Sequence, residues 1–352
     1  MAFHAGMLRL LAERGRMEAV TEVSSVSGGS LLAGIVFSKS GMAWPGSQKF
    51  LVDIHPTIRQ LLTTHDLGKT ADARLLFRPS NWRYLFQRPQ VMAQTIQELW
   101  SISETLAQVP VHPRWSLSGT TGETGKLFQF KHDDFGDYET GYAQAPSFPL
   151  AAAMAASAAF PGSIGPLEID TGKYQWKRRA TPDADKSSGQ PITHAFAKLH
   201  IYDGGVYDNL GMEPLFDMGR QLPRGPFRTI VSDAGMPLAD GFNYGPLDLA
   251  RLGRLMSIMT AQTRTLRVRS FVHYLERGGA GAYLGIDASP LKLLADHHIT
   301  PDPAIGWLSQ DELARAQDYP TNLAILTPQN FDLIENHGYQ TAFAHQAVHA
   351  FI

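Results

Sequence analysis

The sequence of 352 residues contains no cysteine. Disulfide staples, thiolate nucleophiles and cysteine metal sites are therefore excluded. A charge excess of one sign is also lacking. Thirty-one Lys and Arg face 33 Asp and Glu, and a formal net charge of −2 argues against general nucleic-acid binding. No apolar run approaches the ~18 residues of a membrane span. The longest, residues 148–160, is mostly alanine and is interrupted by Pro149 and Ser157. No repeat, low-complexity tract or secretory signal pattern is visible, and the first residues, with His4 and Arg9, read as a helix already inside a domain. The expectation is a cytoplasmic or peripheral-membrane protein whose oligomeric state is open. H-E-x-x-H is missing, and the pairs His345/His349 and His297/His298 lie in no ligand framework, so no metal site is expected.

What is present is 43% hydrophobic residues, enough for one large α/β domain or two modest ones. One stretch stands out: Val23-Ser24-Ser25-Val26-Ser27-Gly28-Gly29-Ser30-Leu31. A β-branched run meets two glycines and then a small-residue apolar run, which predicts strand, sharp turn and helix. Ser27 sits at the turn. Small residues on either side of it, Ser25 and Gly29, let such an elbow close and present the hydroxyl at the end of a sheet. The free N–H groups of the new helix, Gly28 first, point at whatever Ser27 attacks. The usual elbow is G-x-S-x-G, and Ser25 stands here in place of its first glycine. The other reading is an ordinary glycine-rich turn in which Ser27 or Ser30 caps the helix.

Elsewhere the periodicity is informative in places. Phe3, Met7, Leu8, Leu10, Leu11 and Met17 are spaced for a helix face over residues 1–19, with Gly15 as its stop. Glu22 to Val26 reads as a strand and Ser30 to Ser38 as a helix. Residues 47–108 look mostly helical, an insertion or cap. Within it, residues 77–86 mix arginines with Trp82, Tyr84 and Phe86, either as a packed insert or as a groove-lining or lipid-facing segment. Arg114–Thr120 and Lys126–Phe130 predict a strand pair, Ala151–Ala159 a small-residue helix, and Gly172–Gln190 a surface hairpin or loop. Lys198–Tyr202 predicts a strand, Leu210–Leu222 a helix and Phe227–Asp233 a buried strand. Leu247–Leu275 predicts a long amphipathic helix whose Arg251, Arg254, Arg264, Arg267 and Arg269 form a solvated face. Helices at about residues 309–317 and 330–351 complete the pattern.

The second constellation is Tyr202-Asp203-Gly204-Gly205-Val206-Tyr207-Asp208-Asn209. An acid at the C-terminal end of a strand, followed by two glycines, lies where open α/β sheets place functional groups. An Asx turn closed by Asp203 is the other reading. Taken with Ser27, Asp203 supplies a base, and a Ser–Asp pair needs no third partner. A histidine-assisted esterase, with His4 or His337 as base, is the competing arrangement.

These residues carry a resemblance. Ser25-Val26-Ser27-Gly28-Gly29-Ser30 is similar to the nucleophile turn of the patatin-like phospholipases, in the form common among bacterial proteins. Asp203-Gly204-Gly205 with Tyr207-Asp208-Asn209 resembles that family's D-G-G motif, and Ala156-Ser157-Ala158-Ala159-Phe160-Pro161 its A-S-x-A-x-P block. Phe3-His4-Ala5-Gly6-Met7-Leu8 resembles its first helix, and Tyr319-Pro320-Thr321-Asn322-Leu323 with Asn336-His337-Gly338-Tyr339 its C-terminal pattern.

The resemblance implies a three-layer α/β/α fold with a mostly parallel central sheet and a helical insertion at about 47–108, all in one domain spanning 1–352. It implies hydrolysis of lipid acyl esters through an acyl-enzyme. Ser27 would be the nucleophile and Asp203 the base. Gly28 would be an oxyanion donor, Ser25 and Gly29 would form the elbow, and Gly204 and Gly205 would support the dyad loop. No cofactor is implied. The expected partners are a lipid or phospholipid substrate and a membrane surface, with no nucleic acid. In that family a glycine-rich oxyanion loop precedes the first helix, and its place falls upstream of Ala2-Phe3-His4. The expectation is therefore a chain without that loop and its strand, being a piece of a longer protein. The alternative is an impaired patatin-fold protein that binds lipid or a partner.

Overall fold

The strand expected at residues 22–26 forms, and its neighbours decide the geometry of everything that follows. The computed structural model describes residues 1–84, 88–160, 165–180, 184–238, 240–245, 248 and 250–352. The chain divides into a larger unit, residues 17–211 with 323–325, and a smaller one, residues 1–16, 212–322 and 326–352.

The larger unit holds a nine-stranded sheet. Its strands are β1 (Glu22–Val26), β2 (Arg114–Thr121), β3 (Leu127–Lys131), β4 (Asp134–Asp137), β5 (Gly141–Gln144), β6 (Leu167–Asp170), β7 (Trp176–Arg178), β8 (Gln190–Pro191) and β9 (Lys198–Asp203). The order is β6-β9-β2-β3-β4-β5-β7-β8, with β1 also on β2. The mix of helix and strand fits an α/β chain, but the expected mostly parallel sheet is corrected here. Only β1 lies parallel to its partner, and the other pairings are antiparallel. The reason is connection length. β2 to β5 are joined by tight turns, which can only reverse the chain, whereas β1 reaches β2 through the long helical crossover that a parallel pair requires.

That crossover contains the helices expected in 47–108, among them His55–Thr64, Leu67–Phe77 and Arg88–Trp100. Leu85 and Phe86 of the aromatic segment lie outside the described residues. Gly172–Gln190, expected as a surface hairpin or loop, forms the antiparallel pair β7–β8 and joins the sheet at β5. Trp176 ties it there. It is buried against Phe135, with ring centroids 5.7 Å apart, and its indole N–H donates to the Thr171 carbonyl.

In the smaller unit the N-terminal helix Ala2–Glu13 packs along the C-terminal helix Pro328–His349. The two backbones touch where glycine faces each: a Cβ at Gly6 would lie 1.9 Å from the Glu335 carbonyl, and one at Gly338 1.9 Å from that of Phe3. Residues 210–222, expected as a helix, instead carry the short antiparallel pair β10 (Phe216–Asp217) and β11 (Leu222–Pro223). The Asp217 carboxylate accepts from the N–H groups of Gly219 and Arg220, an Asx turn that competes with helix. Strands β12 (Thr229–Asp233) and β13 (Gly281–Gly285) pair in parallel.

The long helix runs Ala250–Glu276, and residues 247 and 249 of the expected start lie outside the described ones. Its arginines need a correction. Arg251 and Arg269 are exposed, but the side chains of Arg264 and Arg267 are only 14% and 16% exposed. Arg264 Nε donates to Asp233 at 2.6 Å, and Arg267 lies 3.6 Å from Glu213. Asp233 is buried and also accepts from Tyr283 Oη and the Gly235 N–H, so the interior supplies carboxylates that draw these cations in.

Candidate active site

Ser27 and Asp203 meet because two strands share one edge of β2. β1 runs parallel to β2 as far as Val26 beside Ser118. β9 runs antiparallel to it and ends with Asp203 beside Gly119. β3 occupies residues 117–120 of β2 on the opposite edge, so β1 and β9 lie on the same one. They approach from opposite directions, and their C-terminal ends meet. Ser27 follows one end and Asp203 terminates the other.

At Ser27 the backbone turns sharply, with φ 50° and ψ −125°, a strained conformation for a residue with a Cβ. The helix Gly28–Lys39 starts immediately, and the Ser27 carbonyl accepts from the N–H groups of Ser30 and Leu31. Gly28 and Gly29, at the first turn, have N–H groups without an intrahelical acceptor.

The turn is held by a chain of hydroxyl groups that sequence reasoning did not find. The Trp115 indole N–H donates to Ser25 Oγ at 2.9 Å. Ser25 Oγ lies 2.9 Å from Ser30 Oγ, which lies 2.8 Å from Ser157 Oγ. Ser157 Oγ contacts the Ser118 carbonyl at 2.6 Å. A carbonyl cannot donate, so Ser157 must, and each upstream hydroxyl then has its one proton assigned. The relay runs in a single direction from Trp115 through Ser25, Ser30 and Ser157 to Ser118. All three serines are buried, so every link is costly to break.

Ser157 also joins the two halves of the site. Its main-chain carbonyl accepts from the N–H of Ser27 at 3.1 Å and from that of Gly204 at 3.4 Å. Ser157→Ala should therefore lower stability by about 1–3 kcal/mol, since Ser30 loses its acceptor. Urea denaturation followed by circular dichroism measures this, and an unchanged midpoint would mean that the relay does not hold the elbow.

Asp203 is 3% exposed. One carboxylate oxygen accepts from the Gly205 N–H at 2.7 Å. Burial pushes its pKa up from 3.8 to about 6, against the lowering effect of the Gly205 N–H and the Ser27 hydroxyl. Its main-chain carbonyl accepts from Thr120 Oγ1 at 2.9 Å, which in turn accepts from the Tyr207 N–H. Gly204 lies against the β2 backbone, where a Cβ would come within 2.4 Å of the Ser118 carbonyl. At Gly29, in contrast, a Cβ would meet nothing within 4 Å, so space does not demand a glycine there.

The two histidines considered as bases have other partners, both in the smaller unit. His337 is buried and its Nε2 faces the Ile286 carbonyl at 2.6 Å, so that nitrogen carries the proton. His4 Nδ1 lies 2.7 Å from Ser232 Oγ, and burial lowers its pKa to about 3. Among the described residues no group of three or more His, Asp or Glu side chains converges as a metal site. No described helix is long and apolar enough to cross a membrane.

The family can now be stated. Residues 1–216, more than half of the chain, match the family model for patatin-like phospholipase, and the chain belongs to that family of lipid acyl hydrolases. The match takes in the elbow, Ser157 and Asp203; the C-terminal blocks near residues 319–323 and 336–339 lie beyond it. No curated protein matches the chain.

Proposed function

We propose that the chain hydrolyses carboxylic esters of phospholipids or related lipids through a Ser27–Asp203 dyad. The observation that carries this reading is the meeting of the strained Ser27 turn and the buried Asp203 at the facing ends of β1 and β9, beside the adjacent β2 residues Ser118 and Gly119. The Asp203 carboxylate takes the hydroxyl proton as Ser27 Oγ attacks the ester carbonyl. The oxyanion that forms is met by the Gly28 N–H at the start of the elbow helix. Collapse expels the alcohol, protonated by Asp203, and leaves the acyl group on Ser27. Water then attacks the acyl-enzyme while Asp203 accepts its proton, and Asp203 returns that proton to Ser27 Oγ as the carboxylic acid leaves. In this reading the 352 residues serve one patatin-like domain with residues 47–108 as its helical insertion. Lipid contact is part of the proposal, supported by the exposed Phe77 and Trp82 of that insertion.

A fluorophosphonate probe followed by peptide mass spectrometry tests it. The adduct is expected on Ser27. An adduct on Ser24, Ser25 or Ser30 instead, or none while lipid binding persists, would overturn the dyad. The pH profile is a further test. The base must be ionised, so kcat/KM on a soluble ester should fall about tenfold per pH unit below the Asp203 pKa of about 6. A profile flat well below that pH, in folded protein, would remove Asp203 from the role.

A further inference from the structure

The helix Ala250–Glu276 turns an apolar face to solvent. Leu252, Leu255, Met256, Met259 and Leu266 are each between 38% and 63% exposed. At about 100° per residue, these five fall within one arc of about 100°. Phe271, fully buried, and Arg264, paired with Asp233, lie more than about 100° from its centre. The helix is thus anchored by one side while another carries an exposed apolar stripe, interrupted on its arc only by Thr263 between Met259 and Leu266. Met236 and Phe242, shortly before the helix, add further exposed apolar surface.

The charge beside this stripe narrows what can cover it. Arg251 and Arg269 are exposed and lie about 40° beyond one edge of the apolar arc. The helix has no acidic residue before Glu276. A second copy docked on the same face would bring these arginines toward their own counterparts, and the helix offers them no acid of its own before Glu276, which opposes self-association. An anionic lipid surface complements both features, taking the leucines and methionines at the acyl boundary and the guanidinium groups at its phosphates.

We infer that Ala250–Glu276 is an interfacial helix that docks the protein on an anionic lipid surface. The inference deepens the proposed lipid hydrolysis and rests on it for its purpose, while the docking itself needs no catalysis. Co-sedimentation of the full chain tests it, with vesicles of phosphatidylcholine alone or mixed with phosphatidylglycerol. The protein should pellet with the mixed vesicles. L255E/M259E should weaken that binding at least about tenfold, with hydrolysis of a soluble nitrophenyl ester and the far-UV spectrum unchanged. R251Q/R269Q should lose the preference for the anionic vesicles. Ser27→Ala should bind as the wild type does. If ester hydrolysis is absent while vesicle binding follows this pattern, the dyad falls and the docking stands. Equal binding by the wild type and L255E/M259E overturns the docking. So does a wild type that ignores vesicles but forms a dimer that L255E/M259E abolishes.

Discussion

Ser27→Ala should lower the hydrolysis of a short-chain nitrophenyl ester by at least about 10³-fold, because no other group can form the acyl-enzyme. Asp203→Asn should cost about 10²–10⁴-fold, the range spanned by a positioned general base. Both variants should fold, and near-UV circular dichroism beside the kinetics checks this. Equal activity in the wild type and both variants would end the proposal.

Asp203→Asn should also separate catalysis from stability. As pH rises from 3.8 to about 6, the unfolded chain releases a proton that buried Asp203 keeps. The folded state binds more protons in that window, so stability falls by about 3 kcal/mol across it and then levels off. Asparagine has no such titration. The melting temperature of Asp203→Asn should therefore rise relative to that of the wild type through that window, and the difference should then hold at higher pH. A constant difference at all pH values would mean that the carboxylate is not held against its own ionisation.

The second large effect concerns the backbone beneath the acid. Gly204→Ala would drive a methyl group to 2.4 Å from the Ser118 carbonyl and 2.9 Å from Val26 Cγ2. The first of these is main chain of β2 and cannot swing aside. A loss of more than about 3 kcal/mol is expected, with activity lost in what still folds. Gly29→Ala is the control. It meets open space inside a helix, so it should be neutral or stabilising by up to about 1 kcal/mol. Urea midpoints of the two variants decide the matter. Equal destabilisation would mean that glycine is needed at both positions for a reason other than contact.

Much of the site was legible because it is local. The β-branched run, the two glycines after Ser27 and the Asp-Gly-Gly turn each announce themselves within a few residues. β1 has the predicted bounds, Glu22–Val26, and β9 ends on Asp203. What joins them was not legible. Strand direction depends on connection length and partner choice, and an antiparallel β9 is what carries Asp203 to Ser27. The support of Ser25 comes from Trp115, 90 positions away, and from Ser157 through Ser30, contacts that no short-range pattern encodes. The arginines of the long helix show the same limit from the other side. Their spacing was read correctly as amphipathic, but Asp233 and Glu213, remote in sequence, decide which of them turn inward.

The hydroxyl relay has a consequence for how such a chain can diverge. A glycine at position 25 is tolerable only if Ser30 and the Trp115 N–H find other partners, and losing Ser157 strands Ser30. These four positions are bound to one another by proton count, so a change at one is expected to require a change at another. A glycine-based elbow pattern reads Ser25 as a defect. In this protein it marks a different solution, in which the hydrogen-bond donors and acceptors behind the nucleophile do the work that an absent side chain does elsewhere.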